Sequence, residues 1–231
     1  MFTLPSDPAV RVPVVLLSLV TALLVAVHYA SNGRHPYVAR MIGFALLGPP
    51  PVIAAWALGY APSAVGVGPG ELGPALAYGL LLGLALQPII AMSARSLRSN
   101  PPGAPRPEVK LDIWTWRDVG LNAATWIVYL AAYEACFRGV LLQGLASTQG
   151  PWVATASMIA MYALYHLKQE LSETIGTFPI GVVFALVALH THSFVGPFVA
   201  HVLIGVGNDT WVLWFQGKFP PGRDAQGPQN S

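Results

Sequence analysis

Apolar positions in this chain gather into long runs instead of alternating with polar ones. The first run is Val14 to Ala30. The second, about Met41 to Tyr60, contains Pro49-Pro50-Pro51. Proline breaks or kinks a helix, so this pattern predicts a bent span or two pieces. The third, about Pro74 to Ala94, carries Ala75, Gly79 and Gly83 at every fourth residue, a face suited to close approach of another helix. The fourth, about Val119 to Ala146, exceeds the roughly 20 residues that cross a bilayer, so it is expected to tilt or to begin on the membrane surface. The fifth is about Trp152 to Leu167, the sixth a short Phe178 to Leu189, and the seventh Phe194 to Phe215.

The breaks between these runs read as connectors. Ala61 to Gly73 is rich in Gly and Pro, and its Gly66-Val67-Gly68-Pro69-Gly70 lacks the lysine of a phosphate loop. Arg95 to Arg117 reads as a proline-rich surface loop, with Trp114 and Trp116 suited to a membrane interface. Lys168 to Thr177 reads as a polar loop, and 217–231 as a disordered tail. No cleavable leader is expected, since Met1 to Val10 has no basic residue.

Composition settles the class. Of 231 residues, 54% are hydrophobic and only 10% charged, against about 25% charged in a soluble domain. The expected fold is therefore all-α: one polytopic integral membrane domain over 1–231, with about seven transmembrane helices. Alternating those spans puts every Lys and Arg outside them on one side, Arg11 excepted, with Arg138 inside a span. The positive-inside rule then predicts an outside N-terminus and a cytoplasmic C-terminus. The preference for Arg and the richness in Ala, Gly and Pro suggest a GC-rich bacterial source, hence a multi-pass protein of a cell membrane, the bacterial inner membrane.

The chemistry sits in Tyr133-Glu134-Ala135-Cys136-Phe137-Arg138-Gly139. Glu134 and Arg138 lie four residues apart on one helix face, acid first, the better order for a pair. Charges inside a span are expensive, so by default they mark function and face the interior. A structural ion pair is the plainer reading. Cys136, the single cysteine, reads as a small core residue. In the fifth span Tyr162 and His166 share a face; in the seventh, His201, Gly205 and Asn208 do, with Asp209 adjacent. His190 and His192 read as wetted turn residues. Spans that bury Glu134, Arg138, His166 and His201 are expected to turn them toward one another, because lipid satisfies none of them.

These residues resemble the CPBP intramembrane proteases, the family of the CAAX prenyl endopeptidases. That family carries Glu-Glu-x-x-x-Arg, then Phe-x-x-x-His, then His-x-x-x-Asn on successive helices. Here the three read Tyr133-Glu134-Ala135-Cys136-Phe137-Arg138, Tyr162-Ala163-Leu164-Tyr165-His166 and His201-Val202-Leu203-Ile204-Gly205, within a catalytic region of about 119–208. The resemblance implies Glu134, Arg138, His166 and His201 as catalytic residues. Two positions depart from it. Tyr133 replaces the acid thought to activate water, and Gly205 replaces the asparagine thought to help hold the oxyanion. Tyr133 and Glu134 are about 100° apart around a helix, so one does not stand in for the other.

The implied activity is endopeptidase cleavage of a membrane-associated protein or peptide near the cytoplasmic leaflet. Amide hydrolysis needs a base for water and donors for the oxyanion. Burial and Arg138 pull Glu134 in opposite directions; if Arg138 dominates, Glu134 is a positioning group or weak base, with His166 able to share its water and His201 able to donate to the oxyanion. No cofactor and no metal are expected: two His and one Glu suit zinc poorly when Arg138 competes for the Glu. Beyond the lipid bilayer and the substrate no partner is implied, and no nucleic acid. The alternative is a catalytically inactive relative that binds a peptide, lipid or partner protein in the same pocket. A small transporter would require a second set of intramembrane charges or an internal repeat, and neither is present.

Overall fold

The computed structural model describes residues 5–96, 109, 111, 113–166 and 171–220, with backbone only for 171–177. The described residues form helices and turns. They are α1 (Pro8–Ser31), α2 (Pro36–Leu47), α3 (Pro49–Ala57), α4 (Leu72–Ala85), α5 (Gln87–Ser96), α6 (Trp116–Glu134), a π-helical stretch (Ala135–Leu141), α7 (Leu142–Gln149), α8 (Pro151–His166), α9 (Leu171–Thr191) and α10 (Val195–Phe215). Among the described residues, five stretches are long and apolar enough to cross a membrane: Pro8–Ser31, Pro36–Ala57, Leu72–Ser96, Trp116–Gln149 and Val195–Phe215. The shorter apolar helix Phe178–Thr191 and the 16-residue α8 occupy the two remaining expected spans. The chain is an all-α, multi-pass membrane protein.

The triple proline acts as expected. Gly48 ends α2, and Pro49 starts α3, where a missing N–H costs nothing. The small-residue stripe also acts as expected. A Cβ on Gly79 would lie 2.6 Å from the Gly196 carbonyl, and one on Gly83 would lie 2.5 Å from Leu203. Only glycine lets α4 and α10 approach this closely. The Gly-rich connector is structural: Gly66 takes φ +67°, the Phe194 N–H donates to its carbonyl, and Ser193 Oγ donates to the Gly68 carbonyl.

Three expectations are corrected. Lys168 to Thr177 is not all loop, because α9 already runs from Leu171. Its polar first turns disguise a helix whose Pro179 is tolerated mid-way. Arg40 is not a loop charge: it lies inside α2 and is 4% exposed. Trp114 is buried with Val109, Leu213 and Phe219, and its backbone N–H donates to the Lys218 carbonyl. Most of the Arg95–Arg117 insert, and 221–231 of the tail, lie outside the described residues.

One stretch runs through the middle of the bundle. Trp116–Gln149 is 34 residues long, and 72% of its most apolar window is buried, against 17–28% for the other four spans. Thr115 and Asp118 form a capping box at its start. Its core face includes Leu130, Tyr133, Phe137, Leu141 and Leu145, packed against Leu16 and Val20 of α1 and Met158 of α8. The π-helical stretch begins straight after Glu134, and such turns recur at functional sites. Gly139 lets the Val65–Val67 turn close on it, with Val67 3.0 Å from where a Cβ would stand.

Candidate active site

Glu134 ends α6, fully buried. Its Oε1 accepts from His201 Nδ1 at 2.6 Å, and Arg138 Nη1 lies 3.3 Å from each carboxylate oxygen. A carboxylate only accepts, so the Nδ1 proton sits on His201 and its Nε2 is left for chemistry. The Arg138 guanidinium lies over the Tyr162 ring at 4.2 Å and near the Phe184 ring at 5.5 Å. Aromatic faces attract a desolvated cation. This supports a charge that lipid would reject.

Tyr133 faces elsewhere, as the 100° step requires. It lines a cavity of about 170 Å³ bounded by α1, α2, α6, α8 and α10. The same cavity is lined by Ser31, Arg40, Trp126, Tyr129, Tyr165, His166 and His201. The Tyr133 hydroxyl is 3.5 Å from His166 Nε2, and its ring lies 5.8 Å from the His201 ring. Tyr129 and Tyr165 hydroxyls bond at 2.7 Å on the same wall. His166 and His201 thus meet on one cavity, although sequence puts them near opposite ends of their spans.

Glu134 and Arg138 line neither this cavity nor a second, apolar groove of about 400 Å³. That groove is bounded by Leu86, Ile89, Ile90, Ile180, Val183, Phe184 and Ile204, with His201 and Tyr162 at its inner wall. His201 therefore touches both spaces and is backed by the buried acid. Among the described residues no three His, Cys, Asp or Glu side chains group closely enough to hold a metal. Cys136 is a buried free thiol in the core. A Cβ on Gly205 would fit without a clash, in ordinary van der Waals contact with Leu130 and Trp126 at 3.9 Å.

Sequence reasoning missed a second polar group on the cavity wall. Arg40 Nη1 donates to Asn122 Oδ1 at 2.7 Å and Thr125 Oγ1 at 2.9 Å, and the guanidinium lies over Trp126 at 4.0 Å. Asn122 Nδ2 and Trp126 Nε1 both donate to Asp209 Oδ2 at 2.8 Å. Asn122 is the only strongly polar side chain between Leu121 and Ala132, and Asp209 stands in an apolar helix. Those were the available signals.

Fold and site together define a multi-pass membrane protein with an acid-backed imidazole on an internal cavity. Residues 115–206 match the family model Rce1-like, described as type II CAAX prenyl endopeptidase Rce1-like. Over that stretch the chain is similar to the CPBP, or CAAX-protease, family. No curated protein and no solved structure matches the chain.

Proposed function

We propose that this protein is an intramembrane endopeptidase that hydrolyses a peptide bond in a membrane-associated protein or peptide. The observation that carries the reading is the 2.6 Å contact of Glu134 with His201, whose ring reaches the cavity that His166 also lines. A buried carboxylate on Nδ1 fixes the imidazole tautomer and supports the imidazolium that forms when Nε2 takes a proton. His201 is then the general base toward water in the cavity. Glu134 is its positioning partner, and the Arg138 guanidinium pairs with that carboxylate at 3.3 Å. His166 lies across the same space, ready to bond the substrate carbonyl. This division of labour explains why a sealed acid still matters.

The distribution of Lys and Arg supports a cytoplasmic C-terminus, which puts the Ser31 and Arg40 side of the cavity toward the cytoplasm. The membrane is read as the bacterial inner membrane from composition alone. The test is cleavage of a panel of membrane-tethered peptides by the purified full chain in detergent. The intact chain is expected to cleave, with His201→Ala and His166→Ala each slowed about 10²–10⁴-fold. Equal cleavage by all three rejects the site. No cleavage, with peptide binding that depends on Glu134, supports a binding protein instead.

A further inference from the structure

Tyr133 stands where the family resemblance implies an acid, and Gly205 where it implies a donor. Taken singly, each looks like a loss. The geometry makes them complementary. The Tyr133 hydroxyl and His166 Nε2 are 3.5 Å apart, and both residues face the cavity that His201 shares. That separation is at the outer limit of a hydrogen bond, so the two groups are not firmly bonded to each other. It is also short enough for one oxygen atom to lie about 2.7–3.1 Å from both, the spacing of a two-donor oxyanion site. The hydroxyl is held in place: its ring packs at 4.6 Å on Phe137, 5.5 Å on Tyr165 and 5.9 Å on Tyr162, and the residue is 1% exposed. Position 205, a glycine, supplies no side-chain donor.

We propose that Tyr133 is a catalytic residue, its hydroxyl and the His166 N–H together holding the oxyanion while His201 serves as base. The inference rests on the endopeptidase reading above. The step balances as follows. A water oxygen bonds to the carbonyl carbon, and the water's proton passes to His201 Nε2. The carbonyl π electrons move onto oxygen, where Tyr133 and His166 donate to it. The oxyanion electrons then re-form the C=O bond as the C–N bond breaks, its electron pair leaves on nitrogen, and the proton on His201 goes to that leaving amine, giving a carboxylic acid and an amine. A donor lost at 205 is recovered at 133, and an acid absent at 133 is not missed, because Glu134 works through His201. The roles of the two imidazoles are exchanged relative to those the resemblance implies.

The experiment compares the intact chain with Tyr133→Phe, using the peptide that the intact chain cleaves best. Removing the hydroxyl leaves the packed ring in place. The kcat is expected to fall about 10²-fold with KM within about twofold. Affinity for a peptide phosphonate, which mimics the tetrahedral oxyanion, falls by a similar factor, while affinity for an uncleavable reduced-amide peptide is unchanged. An unchanged kcat overturns the inference and leaves the endopeptidase reading standing. Equal weakening of both ligands also overturns it, since that marks a packing role. An intact chain that cleaves nothing overturns the reading and the inference together. If Tyr133→Phe does not fold, 3-fluorotyrosine at 133 keeps the shape and makes the hydroxyl a stronger donor. A changed kcat then supports the role, and an unchanged one overturns it.

Discussion

Two buried polar groups join α6 to α10, and they are built differently. In the Arg40–Asn122–Asp209 group the contacts are short. Asp209 Oδ2 receives two donors at 2.8 Å, and Asn122 both gives and accepts. In the Glu134–Arg138–His201 group one contact is short and the ion pair is long, at 3.3 Å. Glu134 Oε2 and Arg138 Nε and Nη2 are buried with no hydrogen-bond partner among the described residues, against Arg40 Nε alone in the other group. A more fully satisfied network fastens helices; a less satisfied one costs stability and persists where chemistry requires it. The contrast separates the part that holds the bundle from the part that acts.

The largest effect that sharpens this contrast is Arg138→Met. It leaves the Glu134 carboxylate buried without its cation, and is expected to cost about 3–5 kcal/mol, seen as a lower thermal midpoint in detergent. An unchanged midpoint breaks the comparison, because it would mean that Glu134 is already neutral. Next is Asp209→Ala, which strands the Asn122 and Trp126 donors. The expected loss is about 2–3 kcal/mol by the same measurement, with kcat changed less than about tenfold. A collapse of kcat at unchanged stability would move Asp209 into the acting group. Smaller still is Gly83→Ala, whose Cβ meets Leu203 at 2.5 Å: about 1–2 kcal/mol from the overpacked α4–α10 contact. Gly205→Ala, with nothing nearer than 3.9 Å, is expected to fall within about 0.5 kcal/mol of zero.

Much of this was legible in the chain. Apolar runs sufficed for the helices, because lipid leaves the backbone few other choices. The Ala75, Gly79, Gly83 stripe foretold a close helix contact, since four-residue spacing survives any rotation of the span. The rotation between Tyr133 and Glu134 was also readable, as it depends only on helical pitch. What escaped depends on partners far along the chain. Arg40 finds Asn122 across 82 residues, and Asn122 finds Asp209 across 87. Nothing in either local pattern selects the other. The start of α9 was hidden because its first turns are polar, and polarity in a short stretch is shared by loops and helix ends. The π-helical stretch after Glu134 had no signal of its own, and Gly139 within it lies against the Val65–Val67 turn. That Glu134 would be sealed behind His201 followed from neither spacing nor resemblance.

The most direct test of the acid-backed imidazole is a double-mutant cycle on kcat/KM. The chains to compare are the intact protein, Glu134→Gln, His201→Ala and the double variant, all on one membrane-tethered peptide. If Glu134 acts only through His201, the double variant is no slower than His201→Ala alone. Rate losses that multiply would show the two groups working independently, and would contradict the account.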